Sequence, residues 1–597
     1  MMERTFGITP PISTALPTEA EKRANEALAK ELRAQGTFEP PSETQKREDI
    51  LKRLQKIADE FVKRAAAEKH PKSPYLVRNA RGRIFTYGSY RLGVYGPGSD
   101  MDTLVVAPRY VDVDQYFKIF PALLEEMAPP GAITDLNPVP DAFVPIIKFE
   151  FNDISIDLIF CPIQSLGELP DDKDWNLHDN NLLRGLTENQ VRSLNGTRVT
   201  DEILSLVPEP ATFRLAIRAI KLWAQRKAIY ANILGYPGGI AWNIMVARVC
   251  QLYPKATSAV IVSKFFNIML KWPWPVPVVL KDIEYGLTVN QVAVWNPKIY
   301  HGDRHHRMPI ITPSYPSMCT THNVGKSAMA VIQEELEKGA KVTDEIMLGR
   351  RPWKDLFTKH IFFTTGFKFY LTVISSSKTR EAQNKWASFI ESRVRHLVMK
   401  LDMHNSIQLA RPFNKGYDRV HRCRTDAQIE QVQAGSLAYL VKAEDLEKPE
   451  VKTEAKTETP SEPVKTEKAE TNGVKGEEDG DVKLGDIPEN PENGTPLEIE
   501  IYTTNHYIGL QLNEGAKSLD LSREVNEFKS FCMSNDKIFD GELMCLTVQH
   551  VRNFDLPDDV FEPGEVKPVK PVKKKRPAAT EESAKADAKR QKTAPDG

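Results

Sequence analysis

The stretch from 442 to 495 contains no aromatic residue and is dominated by Lys, Glu, Pro and Thr, as in "KAEDLEKPEVKTEAKTETPSEPVKTEKAETNGVKGEEDGDVK". Such a segment cannot bury enough apolar surface to offset the entropy lost on ordering, so a disordered insertion is expected. Whatever folds here must be assembled from its flanks. Before it, "GFKFYLTVI" reads as a strand and "EAQNKWASFIESRVRHLVMKL" as an amphipathic helix. After it, "LEIEIYTTNHYIGLQL" reads as a strand, a helix is expected around 522–534, and "GELMCLTVQHV" reads as another strand. The pattern predicts one α+β domain interrupted by the insertion. Phe367, Phe369, Leu371 and Val373 alternate and are assigned to its core rather than to a base-stacking platform.

The chain has 597 residues, 41% of them hydrophobic, which is material for two to four cored domains. Residues 18–68 read as two helices, with a capping box of Ser42 and Gln45 after Pro40-Pro41. Leu51, Leu54, Ala58, Phe61 and Val62 recur there at helical spacing. From about 84 to 165 the pattern is one of short strands and loops. "IIKFEFNDISIDLIFCP" holds two apolar runs broken by Asn152-Asp153, a hairpin signal. Residues 211–270 are helical again, followed by Pro-rich "KWPWPVPVV", and a mixed region starts near 355.

Lys+Arg 80 against Asp+Glu 81 gives a net charge of -1, but the two signs are segregated along the chain. Cys161, Cys250, Cys319, Cys423, Cys532 and Cys545 form no CxxC pair and no zinc-spaced cluster, so neither a disulfide framework nor a structural zinc is expected. The opening "MMERTFGITPPI" lacks an apolar core, and no long uncharged apolar run occurs, so neither secretion nor a membrane span is expected. His305 and His306 have no partner motif and are assigned to the surface.

The chemistry concentrates in "YGSYRLGVYGPGSDMDTLVV", residues 87–106. In a strand, residues i and i+2 share a face, so Asp100 and Asp102 present adjacent carboxylates, with Asp100 just ahead of the strand proper. Like charges this close raise each other's pKa unless a positive charge intervenes, and a hard divalent cation is the usual compensation. Asp157, in "ISIDLIF", alternates away from Ile154, Ile156 and Leu158 and is the candidate third ligand. Alone, these aspartates read equally as loop-shaping and edge-strand residues. Gly88 lets a backbone approach a phosphate closely, and Ser89 offers an N–H and a hydroxyl; alone the pair is an ordinary turn. Farther on, Arg214, Arg218, Lys221 and Gln225 form one polar helical stripe opposite Ala216, Ile220 and Trp223, which alone reads as a solvated face.

Gly-Ser, then Asp-x-Asp, then a strand aspartate resembles the nucleotidyltransferase superfamily related to DNA polymerase β. The longer stretches "YGSYRLGVYGPGSDMDTLVVAPRYV", "FVPIIKFEFNDISIDLIF", "LNGTR", "IKLWAQRKAIYANILGYPGGIAW" and "RMPIITPSYPSMCTTHNV" resemble eukaryotic, fungal-like nuclear poly(A) polymerases. The resemblance runs from about residue 5 to 440 and resumes weakly from about 496 to 562. It implies an α+β multidomain fold. A palm-like nucleotidyltransferase catalytic domain with N-terminal helices would occupy 1–205 and a central helical nucleotide-binding domain 206–352. A ferredoxin-like or RRM-like RNA-binding domain would occupy 353–562, carrying the insertion at 442–495, and a disordered basic tail 563–597.

The resemblance further implies template-independent transfer of AMP from ATP to an RNA 3′ hydroxyl with two divalent ions, Mg²⁺ or Mn²⁺. Asp100 and Asp102 would bind both ions, and Asp157 the ion nearest the 3′ hydroxyl. Lys221 and Tyr230 would hold the triphosphate, with Tyr87, Gly88 and Ser89 opposite. Gly239 and Ile240 would form a small-residue wall, where the family commonly has Val in place of Ile240; Gly239 alone reads as part of a turn. Val144 would pack on adenine, though alone it reads as core; Asn195 and Asn232 would make polar nucleotide contacts. Implied partners are the RNA 3′ end, ATP, the mRNA cleavage and polyadenylation factor complex and a nuclear import receptor, with no membrane and a monomeric chain. Residues 573–576, a spacer, then Lys589, Arg590 and Lys592 resemble a bipartite import signal, while a basic tail touching RNA non-specifically is the plainer reading. Rival readings are a terminal nucleotidyltransferase of other preference (CCA-adding, uridylyl or oligoadenylate-forming) and a catalytically dead RNA-binding scaffold.

Overall fold

The computed structural model describes residues 6–142, 144–285, 292–442, 498–516 and 519–570. The expected disordered insertion, apart from Lys442, and the basic import signal lie outside the described residues. Of the tail expected from 563, residues 563–570 are described and are tied to the fold. Glu565 pairs with Lys359 at 2.9 Å, and Lys567 with Asp558 at 2.7 Å.

The first sheet is built from β1 (Arg83–Thr86), β2 (Met101–Pro108), β3 (Ile133–Val139), β4 (Ile146–Phe151) and β5 (Ile154–Ile163), in the order β1-β2-β5-β4-β3. β4 and β5 form the expected hairpin. Asn152 and Asp153 both take positive φ (50° and 61°), as a two-residue turn between right-twisted strands requires. β2 runs parallel to β5 and aligns Asp102 with Asp157. Alternation then assigns the faces. Met101, Val105, Ile156 and Leu158 pack under helices Pro41–Lys69 and Val113–Met127, whereas Leu104, Val106, Ile159 and Cys161 pack against helix Glu188–Leu206. Asp102 and Asp157 share the second face, near the strand starts. Helix Val113–Met127 corrects the expectation of strands and loops alone over this span. Pro121 sits inside the helix and breaks the sequence signal, but Asp112 and Gln115 close a capping box at its start.

The two N-terminal helices are present, Glu19–Ala34 and Pro41–Lys69, but their caps differ from expectation. Pro41 is itself the first helical residue, so Ser42 lies inside the first turn, and the capping box is Thr18 with Glu21. The first helix buries Leu28 and Leu32 in the central core rather than in the core of the first sheet.

That central core is made by helices Pro210–Arg226, Gly239–Leu252, Ser258–Leu270 and Lys326–Met347. Trp223 is its hub, meeting Trp242 edge-on at 5.7 Å and Phe266 at 4.8 Å. Gly339 faces Phe266 so closely that a Cβ there would lie 2.4 Å from the ring.

The second sheet contains β6 (Phe369–Ser377), β7 (Ile407–Pro412), β8 (Tyr417–Cys423), β9 (Ile499–Leu512) and β10 (Met544–Arg552). β6 pairs with both β9 and β10, so chain from the two sides of residues 443–497 builds one sheet, as the pattern requires. Helices Arg380–Leu401 and Ser522–Met533 cover one face with Trp386, Phe389 and Phe528. Leu371 and Val373 are buried in this core and half-buried Phe369 packs at its edge, but Phe367 lies ahead of β6 and packs in a separate cluster with Phe362 and Tyr370, so the run is core without sharing one face.

Candidate active site

Asp102 lies on β2 and Asp157 on the parallel neighbour β5, with Asp100 just before β2 begins. Carboxylate oxygens of Asp100, Asp102 and Asp157 all lie within 4.8 Å of one another. One cation balances them at contact distance. Lys148, opposite Asp157 in the hairpin register, donates to both of its oxygens at 2.7 and 2.9 Å. Asp102 is pushed up to about 7, first by burial and then by the charges of Asp100 and Asp157. Three converging oxygen donors with a charge deficit fit a hard divalent cation.

Gly88 takes a left-handed φ of 61°, and a Cβ on it would sit 2.2 Å from Asp102 Oδ2. Here glycine is required twice, by the backbone angle and by the carboxylate filling the side-chain position. The Tyr87 amide donates to the Asp102 carbonyl at 3.0 Å, tying this turn to β2. The Tyr87 ring rests on Gly196, whose missing side chain gives it room, and its hydroxyl is held un-ionised by burial and by the three aspartates. Thr200, a turn farther along helix Glu188–Leu206, accepts from the Gly88 amide at 3.3 Å.

The facing wall comes from the central helices. Gly88, Ser89, Asp100, Asp102, Lys221, Tyr230, Gly239 and Ile240 line one cavity of about 790 Å³, together with Ser99, Ser155, Gln225 and Asn243. Burial lowers the Lys221 pKa, against the pull of Asp100 and Asp102, and burial with the same two charges pushes Tyr230 up to about 12. A Cβ on Gly239 would lie 2.5 Å from the Tyr230 hydroxyl oxygen, so Gly239 is the residue that lets this hydroxyl reach the cavity.

Val144, Asn195 and Asn232, like Tyr87, are not among the residues that line this cavity. Val144 packs against the core formed by Leu104, Ile159 and Leu194. Asn195 is 8% exposed and its Oδ1 has no hydrogen-bond partner among the described residues. Asn232 lines a second cavity of about 1500 Å³ with Thr187, Arg192, Trp295 and Met318. His305 is exposed, but His306 corrects the surface assignment: it is half-buried and its Nδ1 accepts from Trp295 at 3.1 Å. The polar stripe is not a solvated face either. Arg214 and Arg218 donate to backbone carbonyls of the N-terminal part, contacts no local pattern announces. Lys148 was findable, because a two-residue turn at 152–153 forces it opposite Asp157.

Residues 7–207 match the poly(A) polymerase nucleotidyltransferase domain, 212–359 the poly(A) polymerase central domain, and 361–570 the poly(A) polymerase predicted RNA binding domain. The chain belongs to the poly(A) polymerase family. It is 48% identical over 597 residues to poly(A) polymerase pla1 of Schizosaccharomyces pombe, covering 99% of each chain. It is 42% identical over 589 residues to poly(A) polymerase PAPa of Candida albicans, covering 98% of each. Among solved structures, the RNA terminal uridylyl transferase Cid1 aligns at 14% identity and a TM-score of 0.38, over 57% of this chain and 99% of its own.

Proposed function

We propose that this poly(A) polymerase extends RNA 3′ ends with AMP from ATP, without a template, in the cavity between the first sheet and the central helices. The observation that carries this reading is the convergence of Asp100, Asp102 and Asp157, the first two of which line one cavity with Lys221 and Tyr230. Asp100, Asp102 and Asp157 would hold divalent cations, Mg²⁺ or Mn²⁺, which when bound supply charge neutralisation at the reacting phosphate and a more acidic 3′ hydroxyl. Lys221 offers a point charge and Tyr230 a hydroxyl donor to the triphosphate, and phosphate charge in the cavity favours the protonated form of a lysine that burial otherwise disfavours. Ser89 addresses the same phosphates from the opposite wall. The 3′ oxygen bonds to the α-phosphorus, the bond from that phosphorus to its bridging oxygen breaks, pyrophosphate leaves, and the hydroxyl proton passes to solvent.

The full chain incubated with oligo(A), each nucleoside triphosphate in turn and Mg²⁺ or Mn²⁺, read on a gel, tests this. Extension with ATP alone is expected. Equal use of UTP or CTP would overturn the ATP preference, and no extension with any nucleotide would point to an RNA-binding scaffold. We further propose that the chain acts in the nucleus, within the mRNA cleavage and polyadenylation machinery. The support is sequence-based: residues 573–576 and 589–592 carry the paired basic clusters that an import receptor reads. Replacing both clusters with alanine should leave a tagged chain outside the nucleus.

A further inference from the structure

Lys221 and Ser89 stand on different parts of the chain, and two arginines beside Lys221 hydrogen-bond the segment that follows Ser89. Arg218 lies one turn before Lys221 on helix Pro210–Arg226. Its Nη1 donates to the carbonyls of Thr37 and Tyr95, each at 2.6 Å, and its Nη2 to the carbonyl of Gly93 at 3.0 Å. Arg214 Nε donates to the carbonyl of Leu92 at 2.8 Å. Among the described residues, every hydrogen bond of these two side chains ends on a backbone carbonyl. The guanidinium of Arg218 also lies 4.7 Å from the centre of the Phe38 ring.

The carbonyls belong to two strategic segments. Thr37 and Phe38 are in the short link between helix Glu19–Ala34, which packs on the central core, and helix Pro41–Lys69, which packs under the first sheet. Leu92 ends the short helix Gly88–Leu92, Gly93 and Tyr95 follow it, and the amides of Gly93 and Val94 both donate to the Ser89 carbonyl. The path from the Lys221 helix to the Ser89 backbone is therefore one bond from Arg218 to Gly93 and one from Gly93 to Ser89. Gly93 has a φ of 74°, and a Cβ there would lie 2.9 Å from Arg214 Nε, so the loop is shaped to receive the arginine. Burying a guanidinium against carbonyls with no carboxylate at contact distance is costly, and burial lowers its pKa. An apolar side chain would pack this interface without that cost, but it would not fix three carbonyls from two segments in one geometry.

We propose that Arg218, assisted by Arg214, is a positioning residue that holds Ser89 and Lys221 in register, so that the two walls of the cavity grip the ATP phosphates as a unit. The inference rests on the reading of Ser89 and Lys221 as phosphate ligands. It predicts non-additivity. If Arg218 sets the position of Ser89, the hydroxyl is worth less once the fork is gone.

The test is a double-mutant cycle on the full chain, with KM for ATP and kcat measured at saturating oligo(A). Arg218→Lys keeps the charge and loses the fork. In the parent, Ser89→Ala should raise KM for ATP about tenfold, the scale of one hydrogen bond to a charged group. In the Arg218→Lys background the same change should raise it about twofold or less, with KM for oligo(A) unmoved. Melting curves establish that each variant folds. Should Arg218→Lys not fold, Gly93→Ala disturbs the contact from the loop side, and the cycle is run on it. If Ser89→Ala and Lys221→Ala each weaken ATP use but Ser89→Ala costs the same in both backgrounds, the coupling is overturned while the phosphate reading stands. If Ser89→Ala leaves KM for ATP unchanged in the parent, the phosphate role of Ser89 falls and the coupling with it.

Discussion

Both five-stranded sheets place polar side chains where a core would be expected, and they do it in opposite ways. The first sheet gathers three carboxylates at the edge of a cavity with one lysine in contact, and burial, with the charges of Asp100 and Asp157, pushes Asp102 up to about 7. The second sheet buries Arg411 and Arg419, the latter paired with Asp559, but its two central strands bury uncharged groups: Ser375, Ser376 and Ser377 on β6, and Thr503, Thr504, Asn505 and His506 on β9, none of these more than 5% exposed. Part of this layer is satisfied internally, although Ser377 Oγ, Asn505 Oδ1 and His506 Nδ1 have no hydrogen-bond partner among the described residues. Gln383 donates to the Ser375 carbonyl at 3.1 Å and to Thr504 at 2.9 Å, Thr504 donates to Asp418 at 2.6 Å, and His421 meets Thr503 at 3.1 Å. Buried neutral groups with partners help specify one packing arrangement. Gathered charge with a deficit of counter-charge and an open cavity is instead poised for a ligand that supplies the missing charge.

The largest effect should follow from breaking the charged cluster. Asp102→Ala is expected to lower AMP incorporation more than about a hundredfold, beyond what losing an outer-shell partner of a metal site costs. Its melting temperature in cation-free buffer should hold or rise, since a like-charge repulsion is relieved. Normal turnover with a lowered melting point would make Asp102 a structural residue like those of the second sheet. Gly88→Ala should come next. It keeps every carboxylate and the Ser89 hydroxyl, yet its Cβ would overlap Asp102 Oδ2 at 2.2 Å, so the carboxylate must move. A fall in kcat of about tenfold or more is expected, since misplacement of about 1 Å at a reacting centre costs up to a hundredfold. Unchanged kcat would show that the carboxylate tolerates displacement.

Much of this contrast was legible in the chain. Period-two alternation set Asp157 apart from Ile154, Ile156 and Leu158, and the structure puts those isoleucines and Leu158 in the opposite-face core. The parallel pairing of β2 with β5 was not legible. It joins residues more than fifty apart through backbone bonds that leave no local pattern, and it alone brings Asp102 beside Asp157. The same limit explains Arg218. A stripe of Arg and Lys at helical spacing looks solvated until the distant carbonyls of Gly93 and Tyr95 are placed against it. The polar layer of the second sheet hid differently: "SSS" and "TTN" depress the apparent hydrophobicity of β6 and β9, and only the Gln383 contacts show where they face.

The facing wall should respond more mildly. Lys221→Ala is expected to lower kcat/KM for ATP about tenfold or more, and Tyr230→Phe by less, because a hydrogen bond to a charged group contributes about 1.5–3 kcal/mol. Steady-state kinetics with ATP varied at saturating oligo(A) decide it. An unchanged kcat/KM for Lys221→Ala would remove the lysine from the phosphate reading and leave it as a counter-ion to Asp100 and Asp102.

The smallest effect sharpens the other side of the comparison, because a neutral buried layer should reveal itself through pH. Burial holds His421 and His506 of the second sheet, and His360 just ahead of it, at about 4. An unfolded histidine titrates near 6.5, so between about 6.5 and 4 the unfolded chain binds more protons than the folded one. The stability these neutral rings contribute is complete above about pH 6.5 and is lost as pH falls toward 4. The slope is up to about 1.4 kcal/mol per pH unit for each ring, an upper bound that relaxation reduces. Urea unfolding of the full chain at pH 7.5, 6.0 and 5.0, followed by far-ultraviolet circular dichroism, should show a midpoint that falls with acid. His506→Gln should flatten that dependence, since one of the depressed titrations is removed while those of His360, His421, His306, His396 and His550 remain. A midpoint independent of pH over this range would mean that water reaches these histidines, and the contrast between a sheet that seals its polar groups and one that opens its charges to a cavity would fail on the C-terminal side.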